Sequence, residues 1–331
     1  MKILITGVAG LIGSNLARFI QNETEHSVIG IDDLSCGLRS NVPENITWYD
    51  MSLDGSGCSD VVFSTWKPDV VYHFAAYAAE CLSPFIRCYN YQNNVVATAE
   101  VVNSCIRHGV KRLVFTSSMA VYGHGEPPFS ETDPCIPADP YGVAKLACEH
   151  DIRIAGEQHG LDWCVLRPHN VYGPGQVCTQ KYRNVFGIWM DRYSRGEPLL
   201  IFGDGHQRRA FTFIEDLMIP LVKAGLSPKA SKQVINVGGE IPISINGAAM
   251  TLSRVIGKAI PMHHIESRHE VAQSWCTVTK SEELLEYRDI TPLSLGLDRM
   301  WQWFQRIGSQ PTAPGPVIEM EVGLPSSWMK D

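Results

Sequence analysis

Two side chains in the stretch PYGVAK, at 140–145, could together do acid–base chemistry. Tyr141 and Lys145 stand four residues apart, and side chains at this spacing project from the same face of a helix. Pro140 suits the first turn of a helix, where its missing N–H costs nothing. The stretch therefore predicts a phenol beside an ammonium group, although the same spacing also occurs by chance on ordinary helices.

A glycine-rich turn near the start of the chain could hold a dinucleotide. Gly7, Gly10 and Gly13 follow the apolar run KILITG and open a segment with helical periodicity. In such a turn the glycines permit the bend, the approach of a pyrophosphate and the packing of helix on strand, while the helix N-terminus offers N–H groups. The spacing is GxxGxxG rather than GxGxxG, so the general pattern fits only in part.

An acidic residue follows this turn at the sequence separation that is typical of a contact with the ribose. Asp32 ends a second apolar run, SVIGIDD, 19 residues after Gly13. A carboxylate there can accept hydrogen bonds from the ribose hydroxyls and would repel a 2′-phosphate, which favours NAD over NADP. The alternative is that Asp32 only caps the next loop, because aspartate is common in turns.

A nicotinamide cofactor would give the tyrosine and the lysine a reaction. The positive charges of Lys145 and of an oxidised nicotinamide both favour the phenolate, so we predict that the pKa of Tyr141 falls toward neutrality. The phenolate could then accept the proton of a sugar hydroxyl while hydride leaves the same carbon. Ser118, at the end of the run RLVFTSS, is placed to hydrogen bond to that hydroxyl.

Short apolar runs that alternate with helical segments must position these residues. The runs are KILITG at 2–7, SVIGIDD at 27–33, DVVYHFAA at 69–76, RLVFTSS at 112–118 and WCVLRP at 163–168. Strands that alternate with helices imply a parallel sheet covered on both faces. We predict an α/β fold: a Rossmann-type doubly wound parallel sheet with a smaller, interleaved C-terminal substrate lobe.

The pattern changes after about residue 170, where turn clusters such as YGPGQ replace the alternation. We expect an NAD-binding domain over 1–170, to which a segment at about 210–240 returns through the apolar run QVINVGG. A substrate-binding lobe should occupy 171–306. The proline-rich tail over 307–331 lacks periodicity and is expected to lie on the surface, where a partner could order it.

Composition and charge exclude several classes of partner. The 331 residues carry a formal net charge of −7, so we expect no nucleic acid and no anionic membrane as a partner. No stretch approaches the ~20 apolar residues of a membrane span. Ten cysteines without a CxxC pair suggest free thiols in a reducing compartment, which predicts a cytoplasmic protein. No metal site is predicted, because the histidines of MHHIESRH alternate across a strand and lack the HExxH spacing.

The chain resembles the extended short-chain dehydrogenase/reductases, in particular the NAD-dependent sugar-nucleotide epimerases typified by UDP-glucose 4-epimerase. The resemblance covers roughly residues 1–306. It rests on GVAGLIG, HFAA, NNVVAT, FTSSMAVYG, YGVAK and RPHNVYGPG, which occur in the family's order. It implies a nucleotide-diphosphate sugar as substrate, NAD as cofactor and a homodimer formed through the helices around 92–107 and 141–158.

The resemblance also assigns roles to individual residues. The implied catalytic residues are Ser118, Tyr141 and Lys145. The implied cofactor contacts are Gly7, Gly10, Leu11, Ile12, Gly13, Asp32, Asp50, Met51, Phe74, Ala75, Ala76, Asn94, Tyr141 and Lys145. The implied substrate contacts are Ser118, Met119, Asn170, Arg209 and Arg268, of which the two arginines would bind the diphosphate through their planar donor groups.

The residues after Ser118 separate branches of the family. Relatives that eliminate water carry an Asp-Glu pair there, GDP-mannose 3,5-epimerases carry a cysteine at the second position, and decarboxylating relatives carry a glutamate. This chain has Met119 and Ala120, and neither side chain can titrate. The resemblance therefore implies 4-epimerisation, in which hydride leaves C4 and returns to the opposite face. An NAD-dependent 4-dehydrogenase or reductase and a non-catalytic nucleotide-sugar binding protein remain alternatives.

Trp275 falls near the position that limits the room at the hexose C2 group in related epimerases. Its bulk is a hint against N-acetyl sugars, although aromatic residues in this stretch more often serve packing.

Overall fold

A parallel sheet of seven strands forms the centre of the molecule. The computed structural model describes residues 1–180 and 182–328. The strands of the described chain are β1 Lys2–Thr6, β2 Ser27–Asp32, β3 Thr47–Asp50, β4 Val70–His73, β5 Arg112–Thr116, β6 Trp163–Pro168, β7 Val171–Tyr172, β8 Leu199–Phe202, β9 Arg208–Arg209, β10 Thr212–Phe213, β11 Gln233–Val237, β12 Ile243–Ser244, β13 Met262–Ile265 and β14 Gln273–Ser274. The sheet order is β11-β6-β5-β4-β1-β2-β3.

Helices cover both faces of this sheet. They are α1 Leu11–Glu23, α2 Asp60–Trp66, α3 Arg87–Tyr91, α4 Ala97–Arg107, α5 Pro140–His159, α6 Val185–Ser194, α7 Met218–Leu226, α8 Ile245–Ile256, α9 Thr279–Leu285 and α10 Leu293–Ile307. The central strands are buried along their length because each face packs against apolar helix residues, in one cluster with α1 and α7 and in another with α2, α4 and α5. The predicted Rossmann-type fold is confirmed.

Strand β11 extends the sheet after a long excursion of the chain. It pairs in parallel with β6, with Gln233 opposite Cys164. The intervening and following residues form small separate sheets, in which β7 pairs with β10, β8 with β13, and β9 with β12 and β14. Strands of the central sheet and strands of the small sheets therefore alternate along the sequence. The boundaries proposed for the two domains stay a prediction.

The tail after α10 packs against its own chain. Leu324 and Trp328 are buried in an apolar cluster with Leu82 and Ile86. Glu319 accepts hydrogen bonds from the N–H groups at the start of α3, both at 2.8 Å. The expectation of a surface tail is therefore only half right: Val317 and Val322 are exposed, but the aromatic end of the segment is part of the fold.

Among the described residues, the helices are too short or too polar to cross a membrane.

Candidate active site

The N-terminus of α5 fixes the position of the predicted acid–base residue. The carboxylate of Asp139 caps the helix and accepts hydrogen bonds from the N–H groups of Tyr141 and Gly142, at 2.8 and 3.0 Å. Ser118 follows strand β5 and lines the same cavity as Tyr141. The structure thus brings the serine and the tyrosine together from two separate elements.

Lys145 lies one turn further along α5, in the interior. Its Nζ donates a hydrogen bond of 2.8 Å to the carbonyl of Thr116 and stands 5.8 Å from the centre of the Tyr141 ring. Burial lowers the pKa of the Lys145 ammonium to about 8. The ammonium is therefore anchored on the end of β5, close to the phenol but not in contact with its oxygen.

The protein's own groups raise the pKa of Tyr141. Burial of the ring is the main cause, a hydrogen bond with Ser118 opposes it, and the negative charges of Glu80 and Asp139 add to it. The sequence could not show this effect, because the two carboxylates reach the phenol only through the fold. The predicted fall of the Tyr141 pKa toward neutrality concerns a phenol beside an oxidised nicotinamide, and it stays a prediction.

The loop after β1 forms a cradle that side chains would fill. Gly7 has a φ of +74°, and a Cβ placed on it would lie 2.7 Å from the backbone nitrogen of Ala75. A Cβ on Gly13 would lie 2.2 Å from the carbonyl oxygen of Gly7. Leu11 and Ile12 form the first turn of α1, whose leading N–H groups have no partner within the helix. The backbone here can therefore approach a pyrophosphate, as NAD requires.

A narrow groove runs from this loop across the ends of β2 and β4. Half of the predicted cofactor contacts line it, namely Gly7, Gly10, Asp32, Met51, Phe74, Ala75 and Ala76. Asp50 stands opposite Asp32 in the sheet but is exposed and outside the groove lining. The residues present therefore fit an adenosine with its pyrophosphate, with Asp50 less directly placed than its neighbour Met51.

Asp32 caps its own turn, as the alternative interpretation held, while its contact with a ribose stays a prediction. Its two carboxylate oxygens accept hydrogen bonds from the N–H groups of Ala9 and Leu34, at 2.9 and 2.8 Å. The residue thus ties the glycine loop to β2 and also caps its own turn. Burial raises the pKa of its carboxyl group to about 6, against the lowering effect of these two hydrogen bonds.

Asn94 lies in the interior rather than in the groove wall. Its Nδ2 donates to the carbonyls of Asn90 and Tyr77, at 2.9 and 3.3 Å, and it sits in the π-helical turn Gln92–Val96. Within the described residues its Oδ1 is buried without a hydrogen-bond partner. Its neighbour Asn93 lines the groove instead.

A large cavity of about 970 Å³ adjoins the tyrosine. The predicted substrate residues Ser118, Asn170, Arg209 and Arg268 line it, and Met119 lines a smaller cavity beside it together with Ser118 and Asn170. The tail also contributes to the wall of the large cavity through residues 312–315 and 327–328. The structure therefore brings the predicted substrate residues around one space, while their roles stay predictions.

Two arginines in this cavity share one acid that the sequence analysis missed. Arg209 and Arg268 each place a guanidinium nitrogen near Oε2 of Glu270, at 3.4 and 3.3 Å. The guanidinium of Arg268 also stacks over Phe202, at 4.3 Å from the ring centre. The proximity of Glu270 to Arg268 in the stretch SRHE was the available signal. Glu80, a second missed acid in the cavity, had no signal in the sequence.

Trp275 does not line either of these cavities among the described residues. It is half-buried, and its carbonyl accepts a hydrogen bond from the N–H of Phe129. The suggestion that its bulk limits the sugar is therefore not supported by its position.

Comparison with known proteins decides the family. A sequence model described as the NAD dependent epimerase/dehydratase family matches residues 3–238. The chain belongs to this family. The predicted family and cofactor are thus confirmed: this is an enzyme of the NAD-dependent epimerase/dehydratase type, and its cofactor is NAD.

Individual relatives cover nearly the whole chain. The UDP-glucuronate 4-epimerase of Thermodesulfobacterium geofontis is 30% identical over 91% of this chain and 95% of its own length. The UDP-glucose 4-epimerase of Thermotoga maritima, solved with UDP-glucose, is 30% identical and superposes with a TM-score of 0.87 over 92% of this chain and 99% of that one. The UDP-glucuronic acid 4-epimerase of Bacillus cereus, solved with UDP-glucuronic acid and NAD, is 29% identical with a TM-score of 0.85 over 93% and 100% of the two chains.

Proposed function

We propose that the protein is a sugar-nucleotide 4-epimerase in which Tyr141 exchanges the proton of the C4 hydroxyl. One observation carries the proposal: Ser118 and Tyr141 line a single cavity with Arg209 and Arg268, next to the groove that fits the cofactor. The cavity is large enough for a sugar nucleotide, a ligand of several hundred Å³. The similarity to epimerases of UDP-glucose and UDP-glucuronate supports the same reaction class.

The side chains that follow Ser118 narrow the chemistry. Met119 and Ala120 are buried and cannot carry a proton. Elimination or epimerisation at other carbons needs an acid or base for a C–H bond, and these two positions do not supply one. The chemistry that remains possible is the transfer of an alcohol proton and of a hydride at one carbon.

Each residue of the trio has a defined task in this scheme. The groove beside the glycine loop would hold NAD, which would supply a hydride acceptor and donor for C4 of the sugar. Tyr141 accepts the C4 hydroxyl proton during oxidation and gives it back during reduction. Ser118 hydrogen bonds to the same oxygen and to the phenol, which keeps the reacting groups aligned. Lys145 stabilises the phenolate by its charge from 5.8 Å away.

Arg209 and Arg268, which line the same cavity, would hold the diphosphate. Both guanidinium groups are turned toward Glu270 and are therefore already oriented together. Phosphate oxygens accept paired N–H donors well, so a diphosphate can join this arrangement without moving either arginine far. Asn170 lines the same cavity, and its amide donates a hydrogen bond of 2.9 Å to the carbonyl of Ala210.

Product analysis tests the proposed reaction. The purified protein is incubated with UDP-glucose, UDP-galactose, UDP-glucuronate and their GDP counterparts, and the products are separated by chromatography. Interconversion of a 4-epimer pair without added NAD is the expected result. Stoichiometric release of NADH would instead identify a 4-dehydrogenase. Binding of a sugar nucleotide with no product of either kind would identify a binding protein.

We further propose a homodimer in the cytoplasm. Val143 and Ile154 on α5 are exposed and lie about three helical turns apart on one face, which suits an apolar contact between two copies. All ten cysteines are free thiols, including the buried Cys148 and Cys164, as expected in a reducing compartment.

A further inference from the structure

Glu80 places a carboxylate at the reactive end of the cavity. It begins the short 3-10 helix Glu80–Phe85 and lines the large cavity together with Tyr141. It also lines the smaller cavity with Ser118 and Asn170. Its negative charge contributes to the raised pKa of the phenol, which shows that the two groups are close. A sugar whose C4 meets the tyrosine must therefore lie against this acid.

The carboxylate of Glu80 is not engaged by the protein. Within residues 1–180 and 182–328, neither of its oxygens has a hydrogen-bond or ion-pair partner. The solvent in the cavity reaches the side chain, although protein surrounds it on most sides. This burial, together with the charge of Asp139, raises its pKa to about 7. Its oxygens remain open to a ligand.

The charged groups near Glu80 would not neutralise a second carboxylate that a ligand placed beside it. Asp139 is negative and is occupied by the N-terminus of α5. Arg209 lines the smaller cavity with Glu80, and Arg268 also acts on Glu80, but both arginines are bound to Glu270 and would meet the diphosphate. Arg183 lines the large cavity and is engaged by Gln180, the carbonyl of Ala78 and the ring of Tyr77. A further carboxylate brought against Glu80 would therefore meet like charge, while these arginines already have partners.

We propose that Glu80 selects sugar nucleotides with an uncharged hexose and rejects hexuronates, an inference that rests on the function proposed above. An ionised carboxylate accepts hydrogen bonds only, so it complements the hydroxyl groups of a neutral hexose. A uronate would bring its own carboxylate against Glu80 in a partly desolvated site, and like charges in such a site discriminate strongly. Relatives of this chain include epimerases of both substrate types, and Glu80 decides between them here.

The test compares two substrates on two proteins. Wild type and Glu80→Gln are assayed at about pH 8.5, where Glu80 with its pKa of about 7 is ionised, with UDP-glucose and UDP-glucuronate, by turnover and by equilibrium binding. We expect wild type to prefer UDP-glucose by about tenfold or more in kcat/KM, and Glu80→Gln to narrow that preference by about tenfold. The ratio of the two substrates cancels any effect of the substitution on Tyr141, since both substrates use the same phenol.

Glu157→Gln is the matched control, because Glu157 is an exposed acid at the far end of α5. It should leave the preference unchanged. Equal use of both substrates by wild type, or an unaltered preference in Glu80→Gln, would overturn the inference while leaving 4-epimerisation intact. If UDP-glucose binds more tightly than UDP-glucuronate but no epimer forms, the inference on Glu80 stands and the proposed 4-epimerisation is refuted. Failure to bind either compound would overturn both.

Discussion

The phenol of Tyr141 is held in an environment that keeps it protonated until positive charge arrives. Burial and the carboxylates of Glu80 and Asp139 raise its pKa, whereas Lys145 is anchored on the carbonyl of Thr116. If Tyr141 is the acid–base residue, we expect it to accept an alcohol proton only when the balance of charge in the site changes. The acid–base step would then require an occupied cofactor groove.

Removal of the phenol oxygen should strongly lower turnover and leave the affinity for the sugar nucleotide nearly unchanged. In Tyr141→Phe the ring still packs in its buried position, but no group remains to exchange the proton. We expect kcat to fall on the order of a hundredfold or more. Equilibrium binding of the sugar nucleotide should change little. Steady-state kinetics beside calorimetric binding would check this, and near-normal turnover would contradict the role given to Tyr141.

The affinity for NAD should depend on the ionisation of Asp32. Burial raises the pKa of this carboxyl group to about 6, so a fall in pH through that value protonates it. Because the ionised form is the better acceptor for ribose hydroxyls, wild type should bind NAD more weakly below pH 6 than above it. Asp32→Asn should bind about tenfold more weakly and lose this pH dependence.

Asp33→Asn provides the control for this measurement. The carboxylate of Asp33 accepts hydrogen bonds from the N–H and the hydroxyl of Ser35, whereas the glycine-loop N–H of Ala9 donates to Asp32. It should retain the change in NAD affinity near pH 6. A flat profile in wild type would refute the link between Asp32 and the ribose.

At the scale of elements, the site is assembled where strands end. Ser118 follows β5, the glycine loop follows β1 and Asp32 ends β2, so three parallel strands deliver their groups to one edge of the sheet. Helix α5 then presents Tyr141 from its capped first turn. The precision of the site thus depends on the close approach of the loops at this edge.

Substitution of one loop glycine should test that close approach. Gly7 and Gly109 have similar φ angles, +74° and +64°, but only Gly7 has backbone atoms where a Cβ would be placed. Both alanine variants carry the strain of a left-handed residue, about 1 kcal/mol. Gly7→Ala should lower the melting temperature more than Gly109→Ala and should weaken NAD binding, measured by thermal unfolding with and without NAD. Equal losses in both variants would show that the loop tolerates a side chain.

The tail should matter for substrate binding because it forms part of the cavity wall. Trp328 packs edge-on against the rings of Tyr182 and Phe85, so Trp328→Ala or deletion of the residues after Gly308 would open that wall. We expect KM for the sugar nucleotide to rise about tenfold, which corresponds to ~1.4 kcal/mol of binding free energy, with a smaller effect on kcat. Val317→Ser, at a position with 85% of its surface exposed, is the control. An unchanged KM in both tail variants would remove the tail from the substrate site.

For the molecule as a whole, local pattern in the sequence was sufficient to predict the fold, while the roles of the site residues stay predictions. The alternating runs predicted the sheet, and the Tyr141–Lys145 spacing with the glycine loop predicted its site. The position of Glu80, the shared acid Glu270 and the packing of Trp328 could not be predicted, because each depends on residues far apart in the chain. The effect of Glu80 and Asp139 on the pKa of Tyr141 was missed for the same reason.

The oligomeric state offers a test at this scale. If α5 forms the dimer contact, the protein should elute at about twice its 36.8 kDa mass. Ile154→Glu would place a charge in an apolar contact and should give a monomer, as measured by light scattering. Ile290→Glu, at an exposed position outside α4 and α5, should not. A monomeric wild type would exclude the proposed dimer.

The path of the last described residues has a practical consequence for anyone who handles the protein. A purification tag or fluorescent fusion attached after Trp328 would start from the wall of the substrate cavity, where it could obstruct ligand entry. Met1 precedes β1 and is 45% exposed, at the edge of the sheet opposite the strand ends that lead to Ser118, Asp32 and the glycine loop. Labels and surface immobilisation should therefore use the amino terminus.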